Sequence, residues 1–582
     1  MARQEARSTG ERARRSGLRL RAAPLWRCAA VASSVLLARL AFPFVSFASP
    51  GDESPVGQVT EGLILVAFVP LLLGLEGLRP LRRFWSAWGA GLGFFVLLLP
   101  WVTTAMRTYG GLGAPAALSL LALLCLWCGL FWALPLAAAR PVASAWRLPL
   151  WVVLPPLWCA AETLRGHLFT GFPWGHVGYA LARTVELVPV AAVGGVSLVA
   201  ALVLLVNGAV AEWLTWVLGG RAPEGRRRAL FGLALAAVLL ALAVGFGALW
   251  RARVAAAEAT APRLTVTLVQ GNVDQRIKNE SGRWSEAIAR RYASTTRRAA
   301  ADADLVVWPE TAWPRLLPAG REDWLGQPFL ARLAGRVRAH LLVTGVRRAG
   351  TGETARLRNS VWLLDPGLRP IGRYDKAHLV PFAEYDPLAP LLPVGQIVPA
   401  VGHFVPGPGA RVLSFRRGAE SVSLSPLVCF DALFPELARE GTARGARLLV
   451  NVTNDAWYGR SAAPHQFLRI AALRAVESGR YLVRAANTGV SAFVDPLGRM
   501  RAWVPVTLSA AAPRGAADLP PPVRLRADVP LLSLRTPYVA GGWLIEWVLV
   551  AAATVLLGRT IAAGRIGRRR GRPPLEAAPH PD

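Results

Sequence analysis

The sequence predicts a membrane α-helical bundle of about eight spans that carries one α/β domain outside the cytoplasm, and three observations lead there. Apolar residues make up 53% of the 582, too many for an ordinary soluble chain. They gather in runs of ~20 residues, the length that crosses a hydrocarbon core. One long stretch, 251–537, has only short runs, and there the pattern turns to alternating strand-like and helix-like pieces.

Seven candidate spans precede residue 252, at 24–46, 57–78, 84–106, 114–139, 147–164, 187–217 and 229–250, and one more lies at 538–561. The tail 1–23 carries Arg3, Arg7, Arg12, Arg14, Arg15, Arg19 and Arg21, which by the positive-inside rule keeps the N-terminus in the cytoplasm. Counting crossings from there, the inner loops hold Arg79, Arg82 and Arg83, then Arg140 and Arg147, then Arg221, Arg226, Arg227 and Arg228. The closing tail 562–582 adds Arg565, Arg568, Arg569, Arg570 and Arg572. Outer loops are poorer in cations, holding Asp52 and Glu53, then Arg107, then Arg165, Arg183 and Glu186. This alternation predicts both termini inside and the 251–537 domain outside. The first span is interrupted by Arg27 and Arg39, and Phe47-Ala48-Ser49 also reads as a signal cleavage site. Cleavage would remove one crossing without moving the large domain.

The formal charge of +30 invites a nucleic-acid reading, but the arginines sit in tails and short loops, a topology signal, and no nucleic acid is expected as a partner. Five cysteines in no paired spacing argue against a disulfide framework, and Cys125-x-x-Cys128 inside a span reads as helix filler. His378, His403 and His465 lack ligand spacing, so neither a metal nor a cofactor is expected. Glu61, Glu162, Glu212 and Glu546 fall near span ends, which suits interfaces better than an ion conduit.

From residue 263 the β-rich runs are Leu264 to Gln270, Leu305 to Trp308, Leu341 to Val346, Ser360 to Leu364, Val422 to Cys429, Leu448 to Val452, Tyr481 to Ala485 and Val490 to Val494. Helix-like stretches at 282–302, 325–339 and 464–478 lie between them, so the domain is α/β. Three runs deliver polar residues at their ends. Glu310 follows Leu305-Val306-Val307-Trp308-Pro309. Lys376 and Glu384 lie in the stretch from Tyr374 to Tyr385. Cys429 closes Pro426-Leu427-Val428 and precedes Phe430-Asp431. A thiol where a strand gives way to a helix can be activated by a cation, a helix N-terminus or a carboxylate. Taken singly, Cys429 reads as a buried strand residue, Glu310 as a cap and Lys376 as a solvated loop residue.

Taken together they resemble the Glu, Lys, Cys triad of the nitrilase superfamily, and the surrounding chain resembles its membrane member, apolipoprotein N-acyltransferase. The likeness covers about 55–560. It rests on Gln270-Gly271-Asn272, Trp308-Pro309-Glu310-Thr311, Asp375-Lys376-Ala377-His378-Leu379-Val380-Pro381-Phe382, Asn454-Asp455-Ala456-Trp457-Tyr458-Gly459 and the outer loop Thr170-Gly171-Phe172-Pro173-Trp174. The resemblance implies a nitrilase-like αββα sandwich on an eight-helix base, on the periplasmic side of the bacterial inner membrane. It implies domains at 24–250, 251–537 and 538–561, and a monomer. The implied reaction moves a fatty acyl chain from a glycerophospholipid to the α-amine of a diacylated apolipoprotein, with ping-pong kinetics.

In that scheme Glu310 is the general base, Cys429 the nucleophile and Lys376 the oxyanion partner, helped by the Phe430 N–H. Glu384 and Asp431 would be supporting carboxylates. Phe172, Trp174, Phe434 and Trp457, with Trp101 beside them, would lie on the lipid side of the site; an ordinary aromatic belt is the plainer reading of each. Three positions depart from the family: Phe430-Asp431 replaces the usual Tyr-Glu, and Asn279 stands where relatives often have Trp. A membrane-tethered amidase using the same triad, and a transporter or scaffold keeping an inactive domain, are the competing readings.

Overall fold

The computed structural model describes residues 24–43, 60–219, 223–317, 327–333, 336–350, 355–387, 403–508 and 513–570. The tail 1–23, the Phe47-Ala48-Ser49 site and residues 571–582 lie outside the described residues.

Among the described residues four helices are long and apolar enough to cross a membrane: Ala114–Trp146, Val188–Leu218, Gly225–Thr260 and Tyr538–Ala562. A fifth arises if Pro80–Leu98 and Trp101–Tyr109, bent by 49°, form one span. Pro100 stands at that bend, where it offers no N–H to continue the ladder. The other three expected spans are shorter or more polar. Pro24–Leu40 has 17 helical residues, and the 57–78 run yields only a short apolar helix at Thr60–Gly74. Leu150–His167 contains Pro155 and Pro156 and ends in Glu162, Arg165 and His167.

Buried polar side chains hold the broken pieces in place. Asn207 donates to the carbonyls of Ile64 and Val203, and its Oδ1 accepts from the Phe68 N–H at 2.8 Å. Paired in this way, it avoids the cost of an unsatisfied amide.

The second half is built on two six-stranded sheets. Along the chain the strands are β1 (Arg263–Gln270), β2 (Leu305–Val307), β3 (His340–Ala349), β4 (Arg356–Leu364), β5 (Pro370–Asp375), β6 (Leu413–Arg417), β7 (Glu420–Val428), β8 (Leu448–Thr453), β9 (Tyr481–Ala486), β10 (Ser491–Val494), β11 (Met500–Val504) and β12 (Val523–Pro530). The first sheet has the order β12-β1-β2-β3-β4-β5 and the second β11-β10-β9-β8-β7-β6.

The period-2 geometry of a strand sorts side chains into layers. Leu264, Val266, Leu268, Leu305, Val307 and Leu342 share one core with Leu424, Leu448, Val450 and Leu482 of the other sheet. Their neighbours Val269, Val306, Leu341 and Val343 instead pack with Ile288 and Tyr292 of the Ser281–Ala299 helix. Pro435–Ala443 and Ala463–Ser478 lie against the second sheet, completing an αββα order.

All eight expected strands form, within a few residues. Four more, β5, β6, β11 and β12, escaped the sequence reading because they carry exposed polar or basic residues in place of apolar runs. The expected 325–339 helix is corrected: among the described residues there, Pro328–Ala331 is helical and the chain then enters β3. Pro328 starts a helix well, but the described helical stretch ends at Ala331.

The Ala463–Ser478 helix docks this domain on the membrane half. Glu61, almost fully buried, pairs with Arg183 at 2.8 Å and with Arg469 of this helix at 3.1 Å. The apolar helix Val188–Leu218 breaks at Gly194 and Gly195, and the freed N–H of Val196 donates to Glu477 Oε1 at 3.0 Å.

Candidate active site

β1, β2, β3 and β5 of the first sheet run in one direction, and β7, β8 and β9 of the second run parallel to one another. Strand ends therefore collect the candidate residues. Glu310 comes three residues after β2, Lys376 directly after β5, Cys429 directly after β7, and Thr453-Asn454-Asp455 at the end of β8.

The first three converge. Glu310 Oε1 accepts from Lys376 Nζ at 3.3 Å and from Asn359 Nδ2 at 2.8 Å, while Oε2 accepts from the Asn454 N–H at 3.0 Å. Lys376, only 1% exposed, also lies 2.9 Å from both oxygens of Glu384. Glu384 is itself fixed by the Val380 N–H at 2.8 Å. Burial disfavours the Lys376 ammonium, but Glu384 and Glu310 outweigh it and hold its pKa well above the ordinary lysine value.

Cys429 interacts electrostatically with both Glu310 and Lys376. Burial first, then Glu310, push its thiol far up, and Lys376 opposes them only in part. At rest the sulfur is a neutral thiol that needs a base. Its backbone lies in the left-handed region at φ 47°, a strained setting for a residue with a side chain, at the head of the short turn Cys429–Leu433.

Asp431 ties that turn to the Lys376 strand. Its oxygens accept from the Val428 N–H at 2.9 Å, the His378 N–H at 2.7 Å and the Tyr374 hydroxyl at 2.8 Å. At the first of the expected departures stand Phe430 and a fully buried Asp431 that receives a hydroxyl from Tyr374. Asn279, the other departure, accepts from Gln275 Nε2 at 2.8 Å. Gln275 Oε1 accepts from Asn454 Nδ2 at 2.7 Å, which connects Asn279 to the peptide that binds Glu310.

An aromatic seam joins the loop around Gly171 of the membrane half to the Cys429 turn. Phe434 stacks on His378 at 3.7 Å and meets Phe430 edge-on at 5.4 Å. Gly171, at φ 85°, has no room for a side chain: a Cβ would lie 1.9 Å from the Gly166 carbonyl and 3.1 Å from the Phe434 ring. Phe172 is partly buried and stacks on Trp174, while Trp457 is 37% exposed and contacts Tyr109. Trp174 is sealed in place, 2% exposed, packed on Trp101 and Phe467 and donating to Gln466 Oε1 at 2.7 Å. Phe169 and Phe382, both at positive φ, present exposed rings on either side of the Tyr385 to Thr170 hydrogen bond.

The sequence reading missed Asn359 and gave Asn454 no role, although each donates to Glu310. Asn454 lies in a motif already singled out, whereas Asn359, inside an ordinary strand, offers no local signal. A carboxylate, a buried ammonium and a thiol so placed suit nucleophilic acyl transfer through a covalent intermediate.

Residues 58–209 match the Apolipoprotein N-acyltransferase N-terminal domain family and residues 265–505 the Carbon-nitrogen hydrolase family. An apolipoprotein N-acyltransferase of Geobacter metallireducens is 35% identical over 532 residues, covering 90% of this chain and 94% of that protein. Those of Azotobacter vinelandii and Gloeobacter violaceus are 33% and 34% identical, over 88% and 87% of this chain and 93% and 91% of theirs. Among solved structures, a Saccharomyces cerevisiae member of branch 10 of the nitrilase superfamily is 19% identical with a TM-score of 0.34, covering 46% of this chain and 90% of its own. An amidase from Nesterenkonia sp. is 21% identical with a TM-score of 0.31, covering 48% and 93%.

Proposed function

The chain belongs to the apolipoprotein N-acyltransferase family, and from that premise we propose how its own residues carry out the transfer. It is an acyltransferase and a multi-pass bacterial membrane protein, with its chemistry in the carbon-nitrogen hydrolase domain.

Cys429 Sγ attacks the ester carbonyl of a glycerophospholipid as Glu310 takes the thiol proton. The tetrahedral oxyanion is met by the Lys376 ammonium and the Phe430 N–H, where a single such donor is typically worth ~3 kcal/mol. Collapse breaks the carbon–oxygen bond, Glu310 returns the proton to the leaving alkoxide, and the lysophospholipid departs from a thioester on Cys429. The α-amine of a diacylated apolipoprotein then attacks the thioester. Glu310 accepts the amine proton and passes it to the sulfur, leaving an amide and a free thiol.

Glu384 keeps Lys376 in place, and Asp431 holds the turn that aims the Phe430 N–H. We assign Phe172, Phe434 and Trp457 to the acyl side of the site, with Trp174 as the packed support behind Phe172. Delivering both lipids to one water-poor place turns a two-dimensional encounter into local chemistry. For topology we adopt eight spans, cytoplasmic tails at 1–23 and 562–582, and a domain at 251–537 on the periplasmic side of the inner membrane. A monomer suffices, because the proposed site draws on one chain.

One observation carries this reading: Glu310, Lys376 and Cys429 meet beside an aromatic seam to which the membrane half contributes. The test is intact mass of the purified protein after exposure to phospholipid alone. One fatty-acyl adduct, absent from Cys429→Ala and discharged by a diacylated lipopeptide amine, is expected. Release of ammonia from simple amides without any acyl adduct would favour the amidase, and N-acylation surviving Cys429→Ala would favour an inactive domain.

A further inference from the structure

Lys278 has no task in the reaction just described, yet its ammonium lies against the residue proposed as the base. It belongs to the short helix Gln275–Asn279, and the Asp274 carboxylate caps that helix by accepting the Arg276 N–H at 2.8 Å. The side chain is partly buried, and its Nζ donates to the Glu310 carbonyl oxygen at 3.2 Å and to Thr311 Oγ1 at 2.9 Å.

The peptide it grips is a strained one. Thr311 is held at φ 47°, in the left-handed region that a β-branched residue resists. On the other side Thr344 Oγ1 bonds the Pro309 carbonyl and accepts from the Ala312 N–H at 3.0 Å. The turn carrying Glu310 is thus clamped from two directions. Such a conformation persists only where its surroundings impose it.

Among the described residues, the groups that bear electrically on Lys278 and its helix are few. Glu310 faces it across the gap, Asp274 and Arg276 share its helix, and Tyr109 of the membrane half faces that helix. Burial lowers the Lys278 pKa, Glu310 restores part of the loss, and the net value is about 8.

We propose that Lys278 is a positioning residue for the general base: its ammonium holds the Glu310–Thr311 peptide in the left-handed turn that keeps the Glu310 carboxylate aimed at Cys429. This rests on the assignment of Glu310 above. The lysine forms no bond with substrate. Its effect falls on the rate of thioester formation and leaves phospholipid binding alone, and it fades as the ammonium loses its proton.

The experiment follows acyl-enzyme formation from phospholipid alone by intact mass, between pH 6 and 10, in the full-length protein. Omitting the amine acceptor removes the titration of an α-amino group, which lies close to pH 8. Lys278→Met is expected to slow acylation roughly 10 to 100-fold, the scale set by a misplacement of about 1 Å, with an unchanged dependence on phospholipid concentration. Lys278→Arg should recover most of the rate, and the fall of the wild-type rate above about pH 8 should be absent from it. The inference is overturned if Lys278→Met acylates at the wild-type rate, if its deficit equals a loss of folded protein measured by thermal unfolding, or if wild type and Lys278→Arg share one pH profile. Glu310→Gln separates the two claims: if inert, it upholds the base assignment whatever Lys278 does, whereas wild-type acylation by it removes both.

Discussion

Replacing Glu384 by Gln tests how the oxyanion partner is held. Lys376 lies 2.9 Å from Glu384 and 3.3 Å from Glu310. At an effective dielectric constant of about 20 those attractions are about 6 and about 5 kcal/mol before desolvation, so neither carboxylate owns the lysine. Glutamine keeps an acceptor for Nζ but removes the charge, and Lys376 should then settle on Glu310. That contact makes the Glu310 carboxylate a weaker base and draws the ammonium away from the oxyanion, so acyl-enzyme formation should fall about 100-fold, the cost of one lost oxyanion donor.

Folding should suffer less. The Val380 N–H now bonded to Glu384 at 2.8 Å would face either the remaining oxygen or an opposing amide donor, a penalty of about 1 to 3 kcal/mol. The assay pairs the rate of acyl-mass appearance with thermal unfolding in the same detergent. A Glu384→Gln protein that acylates at the wild-type rate would refute the reasoning, as would one whose lost activity merely tracks lost folding.

Other outcomes follow from the same geometry. Because burial and Glu310 hold the Cys429 thiol far above its ordinary value, alkylation by iodoacetamide should be slow at pH 7 and still climbing at pH 9; a rate that levels off near pH 7 would indicate a preformed thiolate instead. Asp431→Ala should cost about 3 to 5 kcal/mol and abolish acylation, since three donors converge on that buried carboxylate, and denaturation together with the acyl-mass assay would register both. Burial raises the Asp375 pKa, but the bonds from Arg347 and Ser360 outweigh it and leave the value below normal, so its contribution is complete above the unfolded value of about 3.9 and fades as pH falls through the folded one. The stability gap between wild type and Asp375→Asn should therefore be widest near pH 7 and close below about pH 4, whereas a gap independent of pH would mean that the loss is one of packing.

Much of the architecture was legible in the chain because it rests on local rules. Runs of ~20 apolar residues and alternating short strands report burial directly. The short motifs mark Glu310, Lys376 and Cys429 in the sequence itself. Edge strands were harder to read, since β5, β6, β11 and β12 need only one neighbour and tolerate exposed polar residues. Spans were harder too, because a run such as 147–164 keeps its polar end buried through pairings elsewhere: Glu162 accepts from the Val177 N–H at 2.8 Å, and Arg165 donates to the Phe172 and Trp174 carbonyls.

By itself, then, the sequence determined the division into a membrane half and an α/β half, two of the strands that end at the Glu310 and Cys429 positions, and the three residue types that meet there. Only the tertiary structure decided their environment. Asn359 and Asn454 reach Glu310 from 49 and 144 residues away, Asp431 joins the Cys429 turn to Tyr374 and His378, and Lys278 grips a strained peptide 32 residues along the chain. Hydrogen bonds of such range leave no periodicity in a sequence. They exist once two sheets and a membrane bundle have fixed strand ends within about 3 Å of one another, where a buried polar group must find a partner or pay for the lack of one.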